Sequence, residues 1–437
     1  MSEPGLVRKR SLERSQGLLR RAEKVIPCQT QCLSKGPTQL VQGVAPVYLE
    51  AGRGSRVWDV DGSEYIDYMS GLGPIILGYS FPAVNAAITE QLGRATTLSL
   101  MHPLEVEMAE LLTEVIPCAE MARFGKNGSD ATSAAIRIAR AFTGRDHLAQ
   151  SGYHGWQDWY VASTSRSRGV PKALAELIHP FRYNDLDSLR QVFKQHPGQV
   201  AAVIMEPVLT EAPRPAFLEE VKELARQEGA LLVFDEVITG FRWALGGAQD
   251  YFRVTPDLAC LGKSMSNGMP LSAVVGRADV MRECEDVFFS LTYGGECLSL
   301  AAGLATVKIL RDPSVLDTVW RQGKKLQEGF ARLAAEKGVG EYLACLGYPC
   351  RTTIRFLDAQ KQPSLIIKSL FQQEVIKRGI LCAGYHNMSY SHSDEDIDRT
   401  LRAYGEAMDV LAEALESPDP GRWLEGSPVQ NVFRPVT

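Results

Sequence analysis

Three apolar runs constrain the fold more than anything else in the chain: QVAAVIMEPV (199–208), ALLVFDEV (230–237) and LSAVVG (271–276). They are too short to cross a membrane and too evenly apolar to have one wet face. Strands of this kind are buried on both sides, in a sheet covered by helices above and below. The intervening sequence fits. PAFLEEVKELARQEG (215–229) is helical in pattern, with Pro near its start and Gly at its end. Upstream, MARFGK (121–126) reads as a short strand, and SDATSAAIRIARAF (129–142) as a helix ending at Gly144. The expected class is α/β, with a large domain built on a mainly parallel sheet.

The flanks differ. Residues 11–25 read as a helix, and 28–45 as a loop-rich segment. VYLEAGRGSRVWDVDGSEYIDY (47–68) suggests two short strands around Asp59–Gly62, and 81–115 is helical in pattern. Near the other end, RTTIRFLDA (351–359) and GILCAGY (379–385) are strand-like, and SLIIKSLFQQEVIKRG (364–379) is helical. Ser393 and Asp396 form a capping-box pattern before a stripe of Ile397, Leu401, Tyr404, Met408, Leu411 and Leu415. The expected division is an N-terminal segment (1–75) belonging to a small domain, a large domain (76–325), a C-terminal small α+β domain (326–415) and an extended tail (416–437). The tail carries four prolines.

Composition narrows the function. Among 437 residues, 47 Lys and Arg oppose 52 Asp and Glu, which leaves a net charge of −5. A mildly acidic chain is not drawn to nucleic acid or to an anionic membrane, so neither is expected as a partner. No apolar stretch approaches 18 residues, and the N-terminus has no apolar signal region. The nine cysteines contain no C-x-x-C, which fits neither a disulfide framework nor a four-ligand zinc site. Reduced thiols in the cytoplasm, and no metal, are expected.

Four places carry candidate chemistry. Gly125-Lys126-Asn127-Gly128-Ser129-Asp130-Ala131 lies between a strand and a helix, where free N–H groups and the helix dipole can cradle a phosphate. Its spacing is neither the dinucleotide fingerprint nor the P-loop. Tyr153-His154-Gly155-Trp156 offers an aromatic face for a flat ring. Asp235 and Glu236 end an apolar strand, and alternation sends them to opposite faces. Lys263 follows Asp235 by 28 residues, among apolar and small neighbours that favour a lowered pKa and Schiff-base chemistry. Each also has a plainer reading, as an N-cap, a loop packing cluster or a snorkelling lysine. Taken together they match what pyridoxal phosphate needs: donors for its phosphate, a face for its ring, an anion for its ring nitrogen and an amine for its aldehyde.

In these motifs the chain resembles the class III, fold-type I, pyridoxal-phosphate-dependent aminotransferases, in the branch that includes glutamate-1-semialdehyde aminomutase. The resemblance covers about residues 15–415, and its most specific stretch is 234–281. It implies cofactor contacts from Asn127, Gly128, Ser129, Tyr153, His154, Glu206, Asp235, Val237, Lys263 and Thr292. Gly128 and Ser129 would hold the phosphate, and Tyr153 and Val237 the two ring faces. Asp235 would pair with the ring nitrogen. Lys263 would form the Schiff base and then act as general base. Thr292 would reach the phosphate of a neighbouring subunit, which implies a homodimer with active sites built across the interface.

The same resemblance shows departures. The family's S-G-T-E-A reads Asn127-Gly128-Ser129-Asp130-Ala131, and the aminomutase's G-G-G-L-P reads Ser266-Asn267-Gly268-Met269-Pro270. Its substrate-carboxylate Arg aligns at about Lys35. Lys35, Leu72, Tyr385, His386 and Asn387 are the expected substrate residues, lining the entrance to the site. The expectation is an aminotransferase that moves an amino group from an amine or amino-acid donor to a ketone or aldehyde acceptor. An intramolecular aminomutase is the alternative.

Overall fold

The structure, a computed structural model, describes residues 10–431. These form two compact units. One contains residues 10–72, 76–81 and 317–431, and the other contains 73–75 and 82–316. The ends of the expected N-terminal segment and tail, 1–9 and 432–437, lie outside the described residues.

The first unit opens with helix α1 (Glu13–Ala22) and strands β1 (Leu49–Arg53), β2 (Arg56–Asp59) and β3 (Glu64–Asp67). Asp61 accepts from the backbone of Arg14 and Ser15 at 2.8 and 2.9 Å, which caps α1. The turn at Asp59–Gly62 forms because the Asp59 carboxylate accepts from Asp61 N and Ser63 N at 3.0 and 2.7 Å. The sequence suggested two strands here. A third forms because Gly54 takes φ +59 and folds β1 back on β2.

The second unit begins with α2 (Pro82–Leu92) and α3 (Pro103–Val115). The chain then alternates: β4 (Met121–Gly125), α4 (Gly128–Thr143), β5 (His147–Ser151), short helices α5 (Asp158–Val161) and α6 (Lys172–Ala175), β6 (Ile178–Pro180), α7 (Leu186–Gln195), β7 (Val200–Met205) and α8 (Phe217–Gln227). It continues through β8 (Leu231–Asp235), α9 (Gly247–Phe252), β9 (Leu258–Leu261), β10 (Ser272–Gly276), α10 (Ala278–Met281) and α11 (Cys297–Leu310). Helix α12 (Pro313–Glu336) carries the chain back into the first unit.

The seven strands order as β4-β10-β9-β8-β7-β5-β6. Neighbours from β9 to β6 are parallel, and β10 is antiparallel to both β9 and β4. Both faces are covered. Val233, Ile204 and Cys260 pack with Ala135 and Ile138 of α4 on one side. Leu232, Phe234 and Val203 pack with Leu189 and Phe193 of α7 and Val221 of α8 on the other. The apolar runs follow from this, because neither face of β8 meets water. Burying a side chain such as Phe234 contributes on the order of 2 kcal/mol.

The first unit closes with β11 (Leu343–Tyr348), β12 (Arg351–Phe356), α13 (Leu365–Lys377), β13 (Ile380–Leu381), β14 (Tyr385–Asn387) and α14 (Asp394–Leu415). Strand β13 pairs parallel with β3, so N- and C-terminal segments share one four-stranded sheet. The Ser393 capping box is formed, with Asp396 N 3.2 Å from Ser393 Oγ and Ser393 N 3.1 Å from Asp396 Oδ2. The tail, expected to be extended, makes one turn at Pro420–Trp423, bridges Ser427 to Gln42 and buries Val429.

Candidate active site

Strands β4, β5, β7, β8 and β9 all point the same way, because β10 is antiparallel to both of its neighbours. At or just past their carboxyl ends stand Asn127, Gly128 and Ser129 (after β4), Tyr153 and His154 (β5), Glu206 (β7), Asp235 and Val237 (β8) and Lys263 (β9). That edge is where open α/β sheets bind ligands.

The cradle is built by α4. Asp130 accepts from Lys126 N and Asn127 N at 2.9 and 2.8 Å, which turns the chain into the helix. The first-turn N–H groups have no carbonyl one turn earlier, and the dipole favours an anion there. Two glycines bring other loops onto this turn. A Cβ on Gly128 would stand 2.9 Å from Val237 Cγ1, and one on Gly155 would stand 2.2 Å from Ser129 Oγ. Trp156 N donates to Ser129 Oγ at 3.3 Å. Lys126 Nζ pairs with Glu296 at 3.0 Å. Glu296 also caps α11 through Leu298 N at 2.7 Å. Burial raises the Glu296 carboxyl, but bonds from Ser299 and Lys126 outweigh it and the net shift is downward.

Asp235 is buried, and its Oδ2 stands 2.8 Å from His154 Nδ1. Its Oδ1 accepts from Val237 N at 3.2 Å. Facing a carboxylate, Nδ1 carries the ring proton, a tautomer assigned from the bonding. His154 Nε2 is buried with no hydrogen-bond partner among the described residues. Glu236 goes the other way, as alternation requires, and accepts from Thr239 Oγ1 (2.7 Å), Ala248 N (2.5 Å) and Gln249 N (3.0 Å). Burial pushes its carboxyl up against those bonds. Glu206 braces the aromatic loop by accepting from Tyr153 N at 2.8 Å. Tyr153 keeps 52% of its surface exposed, with its ring edge-on to Tyr160.

Lys263 is half-buried and adopts φ +42, a conformation that costs a side-chain-bearing residue on the order of 1 kcal/mol or more. Arg242, almost fully buried, donates to Gly73 O at 2.7 Å and to Ser264 Oγ at 3.4 Å, bracing the turn after Lys263. Sequence reasoning missed Arg242 and the Lys126–Glu296 pair, because their partners are distant in the chain. Thr292 is exposed in the loop before α11.

The sequence profile for aminotransferase class-III matches residues 40–389. The chain belongs to this family. It is 36% identical over 420 residues to the 3-aminobutyryl-CoA aminotransferase of Cloacimonas acidaminovorans, covering 94% of this chain and all of that one. It is also 36% identical to the glutamate-1-semialdehyde 2,1-aminomutase of Acetivibrio thermocellus, covering 90% of this chain and 96% of that one. The FumI protein of a Sphingopyxis species, solved with PLP, matches with a TM-score of 0.87 at 31% identity, over 94% of this chain and 99% of that one. An omega-transaminase from Sphaerobacter thermophilus matches at 0.85 and 27%, over 94% and 100%.

This aminotransferase is therefore a fold-type I enzyme that uses pyridoxal phosphate. Its own residues fit the cofactor: the Gly128–Ser129 turn suits the phosphate, and buried Asp235, braced by His154, suits a protonated ring nitrogen.

The expected substrate residues all lie in the first unit. Lys35 is exposed, and its charge lowers Asp67 slightly, while burial dominates and pushes that carboxyl up to about 6. Leu72 sits at φ +76 in the following loop. Asn387 clamps that loop, its Nδ2 3.0 Å from Met69 O and its carbonyl accepting from Ser70 Oγ at 2.8 Å. Tyr385 is partly buried on β14. His386 is a correction. It is fully buried, with Nδ1 2.6 Å from Thr352 Oγ1 and Nε2 2.7 Å from Tyr404 OH. Its ring nitrogens are taken up inside the unit, so it lines no substrate entrance. Strand alternation on β14 turned it inward. Asn387 is likewise buried and occupied with the 69–70 loop.

Proposed function

We propose that this enzyme carries an amino group from an amine or amino-acid donor to a separate ketone or aldehyde acceptor, with Lys263 as the cofactor-holding lysine. The observation that carries the reading is the placement of Lys263, the His154-braced Asp235 and the α4 N-terminus at the carboxyl ends of β9, β8 and β4, which run in the same direction. Bound pyridoxal phosphate supplies an aldehyde that accepts the amino group and a ring that takes up the electron pair left at the substrate's Cα.

Lys263 Nζ would hold the cofactor through that aldehyde, and its free amine would be the base that takes the proton from the substrate's Cα and gives it back. Asp235 keeps the ring nitrogen protonated, and His154 holds the Asp235 carboxylate in place. Gly128 and Ser129 donate to the phosphate, with Asn127 at the cap. Tyr153 and Val237 flank the ring, and Glu206 holds the Tyr153 backbone. Lys35, the Leu72 loop and Tyr385 remain the substrate-side candidates. The enzyme works in the cytoplasm as a homodimer in which Thr292 of a second copy completes the phosphate site.

The second reading, an intramolecular aminomutase, is favoured by the aminomutase relative at 36% identity. One experiment separates them. The purified enzyme is offered glutamate-1-semialdehyde alone, then donor–acceptor pairs, and the cofactor spectrum is followed through each half-reaction. Transfer that requires both a donor and an acceptor supports the aminotransferase. Conversion of the single substrate without a donor overturns it.

A further inference from the structure

Three of the chain's seven histidines meet at one place, away from the strand ends described above. His147 opens β5, at the end opposite Ser151 and the cofactor loop. His179 is the middle residue of edge strand β6, in register with Ala149. His147 and Ala149 point to the same face of β5, so His179 is the diagonal neighbour of His147. His196 directly follows α7. Its turn is fixed from both sides: His196 N bonds Val192 O at 3.0 Å, Gln199 N bonds His196 O at 3.2 Å, and His147 N bonds Gln199 O at 3.1 Å. Two strands and a helix end therefore deliver the three rings, with little freedom in the backbones that carry them.

The rings are close. His147 Nδ1 stands 2.8 Å from His179 Nε2. The ring centroids are 5.1 Å apart for His147 and His179, 4.7 Å for His147 and His196, and 3.9 Å for His179 and His196, all roughly parallel. One nitrogen from each ring lies within 4.8 Å of the others, and all three residues are half-buried. Burial and the neighbouring imidazoles push His179 down to about 4. His147 is lowered by burial and by His196 and Arg140, against a raising effect from Asp146. The neutral imidazole is the form that binds metal.

We propose that His147, His179 and His196 form a binding site for one zinc ion, with its fourth coordination position open to solvent. Zinc bonds imidazole nitrogen at about 2.0–2.1 Å, which places tetrahedral ligands about 3.3 Å apart. To hold the ion, the His147–His179 pair opens by roughly half an ångström, His196 closes on them, and the three rings turn out of their roughly parallel arrangement so that their lone pairs meet at one point. Three nitrogen ligands and no carboxylate in the set select zinc, copper or nickel over magnesium or calcium. A bound ion joins edge strand β6 to the α7–β7 turn through β5, so it staples the sheet's edge and takes no part in amino transfer. Sequence inspection does not find this set, because its members are 32 and 17 residues apart and the expectation of no metal rested on cysteine spacing.

The test uses the full-length, cofactor-loaded enzyme, dialysed against a chelator and titrated calorimetrically with zinc chloride, beside His179→Gln and His196→Gln. The wild type is expected to bind one more equivalent than either variant, or to bind that equivalent at least tenfold more tightly. Its melting temperature should rise with zinc where theirs does not. Cobalt serves as the spectroscopic probe: imidazole ligation gives visible bands without sulfur charge-transfer absorption. Cofactor absorbance and transamination of the metal-free variants should match the wild type. Equal zinc stoichiometry and affinity in all three proteins overturns the site. So does a thiolate cobalt spectrum that persists in both variants, because the cysteines would then be the ligands.

Discussion

His154 Nδ1 and Asp235 Oδ2 stand 2.8 Å apart, and both side chains are buried. The bond fixes the carboxylate from behind, and among the described residues its other oxygen accepts one backbone amide, from Val237. Removing the imidazole should therefore loosen the carboxylate proposed above to pair with the cofactor's ring nitrogen. A hydrogen bond to a charged group is worth about 1.5–3 kcal/mol, so His154→Ala should lower kcat by about ten- to a hundredfold. Steady-state kinetics and cofactor absorbance check this. An unchanged kcat would mean that Asp235 is held without His154.

Lys263→Ala should abolish transamination and leave the cofactor bound without a covalent link. Borohydride treatment of the wild type should fix the cofactor to the peptide carrying Lys263, read by mass spectrometry. A label on Lys126, which the structure ties to Glu296 at 3.0 Å, would reassign the lysine.

The large sheet and the strand-end residues were legible because long, buried runs such as 199–208 leave a strong pattern and because Asp235 and Lys263 sit at fixed offsets from them. Strands β6 and β9, of three and four residues, were not, because so short a segment has no readable period, and β5 was not because His147, Gln150 and Ser151 leave it no apolar run. His386 was misread for a different reason. It was expected to line the substrate entrance, whereas pairing of β14 with β12 makes it a strand residue whose side chain is buried. The Arg242–Gly73 brace spans 169 residues and has no local signature.

Gly155→Ala tests the cradle's packing. Gly155 has φ +109, and its new Cβ would stand 2.2 Å from Ser129 Oγ and 2.9 Å from Ser129 Cβ. The chain must shift away from the α4 N-terminus, at a cost of about 1–3 kcal/mol for the backbone conformation alone. The expected result is a weaker dissociation constant for pyridoxal phosphate by tenfold or more, with a smaller rise in melting temperature on adding the cofactor. Wild-type affinity would show that the Tyr153–Trp156 loop is not seated on Ser129 as the structure has it.

Acidification should weaken the first unit through His386. Burial, with a smaller effect from His392, pushes this imidazole down to about 3, against about 6.5 in an unfolded chain. Between those values the unfolded chain holds a proton that the folded chain does not. Stability from this group is complete above pH 6.5 and is lost as pH falls toward 3, at up to about 1.4 kcal/mol per unit. Asp67 works in the opposite sense. Its folded value is raised to about 6, so protonating it favours the folded state between 6 and about 4. The absolute slope therefore mixes both groups, and the informative comparison is with His386→Gln. That variant loses stability at pH 7, because Thr352 and Tyr404 lose their ring partner, but its urea midpoint should fall less steeply between pH 6.5 and 4 than that of the wild type. Parallel curves for the two proteins would show that His386 is not the group that titrates.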